Sequence, residues 1–347
     1  MSGVHPLVSL RLVNGSTGDP ALLVDYPGRD DALLFDVGEN GSLDDATLAD
    51  LGAVFISHHH VDHFIGFDRV VRANLDRDKA LSVYGPEGTI RKVYDKIKSY
   101  EYPFFPFQKL VIKVHDVLPG VMRSALLECT RRFPEPTIEA REWPGPVVHD
   151  TADLSVEATL VDHTTPCLAF ALVEKPVVFP DPERLAQGPI RPGPWVSEAL
   201  ELIRRGAPSD AKIRIGAKLV ALEELRATYF TESACSRIAY VTDTAWSQSA
   251  RPSLLRLAHE ATRLYCDAFY ADAQRKSAEK HRHMTATQAA EFAREAGVSE
   301  LVLIHFAARY KGHFEALVAE ARAVFPNSSA EIPAGAVNKS RPRANRS

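Results

Sequence analysis

The stretch Ala53-Val54-Phe55-Ile56-Ser57-His58-His59-His60-Val61-Asp62-His63 decides how the rest of the chain is read. Its first four residues are an unbroken apolar run, the pattern expected of a strand covered on both faces. Four candidate ligands follow at once with H-x-H-x-D-H spacing: His58, His60, Asp62 and His63. Imidazoles and a carboxylate packed this densely are the donors that borderline divalent ions such as zinc prefer. In a loop leaving a strand, the alternate side chains His58 and His60 can converge on one ion, while Asp62 and His63 turn towards a second. His59, between them, is read as a non-ligand.

The same theme recurs along the chain. Leu301-Val302-Leu303-Ile304 is a second apolar run and ends in His305. Ile238-Ala239-Tyr240-Val241 ends in Thr242-Asp243, and Leu160-Val161 leads into Asp162-His163. Strand ends are where open sheets present their sites. Taken singly, His163 or His305 reads as a core histidine and Asp243 as a turn residue; the joint pattern points to a metal centre. Shorter apolar or alternating runs, Leu7–Val13, Ala21–Tyr26 and Leu33–Val37, predict further strands. Apolar residues at three-to-four spacing predict helices over Pro86–Lys98, Thr285–Ala296 and His313–Val324, with Thr285 as a cap and Gln288 as its capping-box partner. Strands and helices in this order suggest a sheet-rich core with helices outside.

Composition narrows the class. The 347 residues are 45% hydrophobic and 25% charged, ordinary for a globular chain with a sizeable core. No apolar run has the length of a membrane span, and the N-terminal residues do not read as a signal peptide. A net charge of −4 argues against a uniformly basic nucleic-acid binder, though not against a local basic patch. The cysteines, Cys129, Cys167, Cys235 and Cys266, form no CxxC pair and read as buried or reduced thiols of a cytoplasmic protein. Two segments stand apart. The stretch Pro176–Pro194 holds six prolines and excludes a central strand. It runs into Arg184–Lys218, with seven basic and three acidic residues. From Asn327 onward the chain reads as a disordered basic tail. The expected organisation is therefore one domain over 1–326 with a candidate arm at 175–218, then the tail at 327–347.

Residues 57–67, SHHHVDHFIGF, resemble the signature of the metallo-β-lactamase superfamily. From about Leu33 to Pro326 the chain resembles one branch, ribonuclease Z, the tRNA 3′-end-processing endonucleases. The quoted similarities are LFDVGE (Leu34–Glu39), VYGPEG (Val83–Gly88), VDHTTPCLAFAL (Val161–Leu172), IAYVTDT (Ile238–Thr244) and LIHFAARY (Leu303–Tyr310). The resemblance implies a four-layer αββα sandwich of α/β class with an inserted proline-rich basic arm, and a homodimer. It implies two divalent ions, zinc or else manganese or iron, one on His58, His60 and His163 and the other on Asp62, His63 and His305. Asp243 would bridge them, and Asp36 would lie behind the ligands. The implied activity is that of a phosphodiesterase: a hydroxide held between the ions, oriented by Asp62, attacks a tRNA precursor.

The same resemblance supplies an acid. HMTATQAA (His283–Ala290) is similar to the motif whose histidine protonates the leaving oxygen, and His281 is the substitute candidate. LYCDAF (Leu264–Phe269) puts Asp267 where the family carries a Glu that touches this histidine. Being one methylene shorter, Asp267 predicts a displaced or water-bridged pair. The basic segment resembles the family's tRNA-gripping arm, so Arg204, Arg205, Lys212 and Arg214 are expected phosphate contacts, along with Arg309. Two features depart from the family. Val13–Val24 has no Lys or Arg where the family carries a basic loop that reads the tRNA end, and Ala307 and Ala308 replace serines. These bear on RNA recognition and leave the hydrolytic centre whole. They keep open a second function, hydrolysis of a small phosphodiester, thioester or lactone on the same fold. A non-catalytic nucleic-acid-binding relative is the third reading, and the full ligand set argues against it.

Overall fold

A computed structural model describes residues 8–26, 31–232 and 235–332. The larger of two compact units comprises 8–150, 155–173 and the chain from 237 onward. It contains two large sheets. The first has eight strands in chain order, from Ser9–Leu12 through Leu22–Asp25, Ala32–Phe35, Leu51–Phe55, Ala80–Pro86, Val111–Leu118 and Val121–Glu128 to Glu139–Glu142. Its middle strands, Ala32–Phe35, Leu51–Phe55, Ala80–Pro86 and Val111–Leu118, are parallel. In the second sheet Arg237–Val241, Arg263–Asp267, Leu301–Ile304 and Ser328–Ser329 are adjacent and parallel. Leu168–Glu174 pairs antiparallel with Arg237–Val241.

Side-chain alternation sorts these strands into layers. On one face of the first sheet Leu34, Val54, Val83 and Ile112 pack with Leu48, Phe67, Val71, Ile90 and Ile97 from helices Asp45–Ala49, Phe67–Asn74 and Thr89–Lys98. On one face of the second, Val241, Leu264 and Leu303 pack with Leu254, Phe292 and Leu317 from helices Arg251–Leu257, Ala286–Ala296 and Phe314–Val324. The opposite faces meet through aromatic rings. Phe35 lies 5.8 Å from Phe170 and 5.9 Å from Tyr240, and Phe55 lies 5.7 Å from Phe170, centroid to centroid. The order helix, sheet, sheet, helix is the expected αββα sandwich.

The expected strands and helices form, with shifted ends. Helix Thr89–Lys98 starts three residues late because Asp116 accepts the amides of Gly88 (3.1 Å) and Ile90 (2.8 Å), and Gly88 itself sits at φ 94°. Thr285 and Gln288 make the capping box read from the sequence. Regular pairing runs past residue 326, since Ser328–Ser329 joins Leu301–Val302; residues 333–347 lie outside the described residues. Cys129, Cys167 and Cys266 are buried, whereas Cys235 is exposed. No described helix is long and apolar enough to cross a membrane.

The second unit comprises 151–154 and 174–236. It has its own core, with Trp195, Ile213, Leu225, Tyr229 and Phe230 at its centre. Strand Val178–Pro180 pairs with Phe230–Glu232 in a sheet that has two strands among the described residues, where prolines are tolerated. The expected arm at 175–218 falls within this unit.

Candidate metal centre

Most of the candidate ligands lie just beyond the carboxyl ends of parallel strands, while His163 follows strand Leu154–Leu160, which pairs antiparallel with Val147–Asp150. Asp36 follows Ala32–Phe35, and the His58–His63 loop follows Leu51–Phe55. From the second sheet, Asp243 follows Arg237–Val241, Asp267 closes Arg263–Asp267 and His305 follows Leu301–Ile304. Asp36, Asp243 and His305 have φ of 57°, 47° and 62°, the left-handed region that non-glycine residues rarely occupy. Each such residue costs on the order of 1–3 kcal/mol, and such residues gather at functional sites. The kink turns the chain sharply at the strand end and keeps a polar side chain at the sheet edge. Gly38 lets the loops close: a Cβ there would meet Asp19 Cβ at 2.5 Å and the carbonyl oxygen of Asp62 at 2.6 Å.

All seven predicted ligands come together. His58, His60, His163 and Asp243 present ligand atoms within 4.8 Å of one another, and so do Asp62, His63 and His305. Asp243 Oδ2 is 3.5 Å from His58 Nε2, 3.4 Å from His63 Nε2 and 3.8 Å from His163 Nε2. Its Oδ1 lies 2.8 Å from His305 Nδ1, so one buried carboxylate faces both groups.

The outward ring nitrogens are already engaged. His63 Nδ1 donates to Asp36 Oδ2 at 2.9 Å, His58 Nδ1 is 3.1 Å from Ser57 Oγ, and His163 Nδ1 donates to the carbonyl of Arg282 at 3.1 Å. Asp36 also accepts from Ser57 N (2.7 Å), Ser57 Oγ (2.8 Å) and Tyr240 OH (3.0 Å). The Nε2 atoms of His58, His63 and His163 are buried and have no hydrogen-bond partner. Imidazoles held by Nδ1 with Nε2 aimed inward are oriented as divalent-metal ligands are, so the donor set fits a pair of such ions.

The electrostatics agree. Burial is the largest influence on Asp243 and opposes its charge, yet His305 and His63 hold its pKa well below the usual carboxylate range. Burial also opposes charge on His63, but Asp243 and Asp36 outweigh it and raise its pKa to about 10. His58 is pushed down to about 2, by burial and then by neighbouring His63. The buried carboxylates thus favour positive charge on the rings around them.

The expected acid pair is in contact. His283 Nδ1 donates to Asp267 Oδ2 at 3.0 Å, and Asp267 also accepts from Met284 N (3.1 Å) and Phe269 N (3.0 Å). This corrects the expectation of a displaced or water-bridged pair: three donors converge on the buried carboxylate at the strand end, and the shorter side chain reaches. His283 stacks on Phe269 at 4.3 Å and stands 5.5 Å from His163 and 5.6 Å from His305. Against burial, Asp267 raises its pKa. His281 is turned to Tyr270 OH at 2.7 Å, and His59 to Thr89 Oγ1 at 3.0 Å.

The expected phosphate contacts are dispersed. Arg309 lies over the Tyr270 ring at 5.2 Å and donates to Gln274. Arg204, Arg205, Lys212 and Arg214 are exposed in the smaller unit. At Val13–Val24, Asn14 donates to the carbonyls of Asp19 (2.8 Å) and Glu39 (2.6 Å), and Asp19 accepts the Glu39 amide at 3.2 Å. Ser57, Tyr240, Asp162 and Arg282 were not singled out from the sequence. Ser57 was findable as the residue between strand and histidines; the others carry no local signal.

No family model matches the chain. Among solved structures it is similar to the metallo-β-lactamase fold protein YhfI from Bacillus subtilis, with a TM-score of 0.53 and 16% identity, covering 92% of this chain and 93% of that one. It is also similar to human tRNase Z, short form, with a TM-score of 0.50 and 18% identity, covering 87% and 93%. Fold and ligand cluster together define a metal-dependent hydrolase of the metallo-β-lactamase fold. A ribonuclease Z from Deinococcus radiodurans is 30% identical over 328 residues, 92% of this chain and 96% of the relative. One from Methanosarcina acetivorans is 29% identical over 317 residues, 88% of each. The chain belongs to the ribonuclease Z family.

Proposed function

We propose that this chain is a dinuclear-metal endoribonuclease that cleaves tRNA precursors at their 3′ ends and leaves a 3′-hydroxyl. The observation that carries this reading is the convergence of His58, His60 and His163 with Asp243, and of Asp62, His63 and His305 beside it. These residues would hold the two ions, and zinc suits the nitrogen-rich donor set. Bound there, such ions would lower the pKa of water towards about 7 and neutralise charge on the phosphate.

The protein's own groups do the rest. Asp62 is partly exposed, as is His163, and His60 is exposed, so this edge of the cluster is open to water. Burial is the largest influence on Asp62 and opposes its charge, but the hydrogen bond from His305 together with the nearby His63 and His305 rings brings its pKa down to about 2. With Nδ1–H given to Asp267, His283 has Nε2 left to hand a proton to the leaving oxygen. Arg204, Arg205, Lys212, Arg214 and Arg309 would contribute phosphate contacts. A homodimer in the cytoplasm fits this role.

A second reading, hydrolysis of a small phosphodiester, thioester or lactone, is favoured by one observation. Asn14 and Asp19, bonded to Glu39 close to Asp62, stand where the family carries a basic loop. Elemental analysis combined with assays on an unprocessed tRNA and on bis-p-nitrophenyl phosphate separates the readings. Two divalent ions per chain with cleavage of the tRNA supports the first. Turnover of the small ester alone supports the second, and a protein that binds no divalent ion overturns both.

A further inference from the structure

Arg282 stands in neither the ligand set nor the acid pair, yet it contacts Asp162 and His163 and directly precedes His283. It closes helix Arg275–His281 in the left-handed region, with φ 60°, directly before His283. Its carbonyl oxygen accepts from His163 Nδ1 at 3.1 Å. Its Nη1 donates to both oxygens of Asp162, the residue before His163, at 2.9 and 2.8 Å. The Asp162 carbonyl in turn accepts from Ala245 N at 2.9 Å and Thr244 Oγ1 at 3.3 Å, in the loop that carries Asp243.

We propose that Arg282 is a positioning residue: its main chain fixes the His163 ring, and its guanidinium locks that main chain to the loops bearing His163 and Asp243. The bond to the carbonyl forces the proton of neutral His163 onto Nδ1 and leaves Nε2 as the inward donor, buried without a partner. The helix end holds the Arg282 and His283 backbone, with His283 N donating to Ala278 O at 3.0 Å. The guanidinium ties that end to the Asp162 side chain. The ion pair is roughly half exposed on the arginine side, and pairs of that kind add little to global stability. Its effect falls on geometry at the ion held by His58, His60 and His163, and on His283, the next residue. Partners of this type change metal affinity by about 10–100-fold.

The inference rests on the two-ion reading, and the test separates them. The zinc-loaded protein is dialysed against graded EDTA, and zinc per chain is measured for wild type, Arg282→Ala, Asp162→Ala, their double variant, Arg282→Lys, and His163→Ala alone and combined with Arg282→Ala. The expected result is that Arg282→Ala and Asp162→Ala each lose one of two ions at about 10–100-fold lower chelator. The double variant should lose no more than either single one. Arg282→Lys should recover part of the hold, because one nitrogen serves both Asp162 oxygens. Arg282→Ala should add nothing to His163→Ala, and metal-free unfolding midpoints should match wild type. Two ions retained by Arg282→Ala at wild-type chelator, or a loss added to that of His163→Ala, overturns the proposal and leaves the two-ion reading standing. A wild-type protein that takes up no divalent ion overturns both.

Discussion

At the residue scale, His58, His63 and His163 each have one ring nitrogen already engaged. Asp36 shows what this implies. It accepts from Ser57 N, Ser57 Oγ, His63 Nδ1 and Tyr240 OH, and an amide in its place would turn an NH2 towards some of those donors. Asp36→Asn is expected to destabilise the metal-free protein by about 1–3 kcal/mol in urea unfolding. It should also weaken zinc binding about 10–100-fold in competition with a chelator dye. Wild-type values on both measurements would remove Asp36 from the support of His63. His283 tests a different role. His283→Ala should keep both ions and slow turnover by about 10²–10⁴-fold, because it removes a proton donor and no ligand. An unchanged rate takes it out of the mechanism. His60→Ala, by contrast, should lose metal and activity together.

At the element scale, local chemistry was readable and long-range closure was not. The capping box of Thr285 and Gln288 spans three residues and formed as read, because the cap needs only its own turn. The start of helix Thr89–Lys98 depends on Asp116, 26 residues away from Ile90, and so was misplaced. Thr285 follows His283 by two residues and donates to Asp272 at 3.1 Å. Thr285→Ala should cost about 1 kcal/mol in denaturant unfolding. It should also speed amide exchange at the helix start, and exchange as slow as in wild type would show that packing alone holds this turn. The sheets are joined by rings, not by hydrogen bonds alone. Phe170→Ala removes the contacts to Phe35 and Phe55 and is expected to cost about 3–5 kcal/mol.

For the whole molecule, ion binding and folding are linked, because the ligands come from both sheets and from loops far apart in the chain. An unfolded chain does not hold them together, so ions bound to the folded state stabilise it. At a free ion concentration about 1,000 times Kd the stabilisation is about 4.1 kcal/mol. Excess chelator should therefore lower the melting temperature measured by calorimetry, and an unmoved transition would contradict the two-ion centre. The exposed cations of the smaller unit make a separate prediction. Replacing Arg204, Arg205, Lys212 and Arg214 by Ala should weaken binding of an unprocessed tRNA and flatten its salt dependence, because fewer counterions are released. An identical salt slope would assign those side chains to solvent.

The amino-acid order by itself determined the ligand types and their places after apolar strands, since these follow from residue chemistry and periodicity along the chain; the partnership of Asp267 with His283 came from the resemblance to ribonuclease Z. What only the tertiary structure decided is which atom of each side chain faces inward. That choice comes from left-handed turns at Asp36, Asp243 and His305, and from partners such as Arg282 and Tyr240 brought across more than a hundred residues. Periodicity along a chain reports which face a residue takes, but a ring's orientation depends on what the other sheet delivers to it.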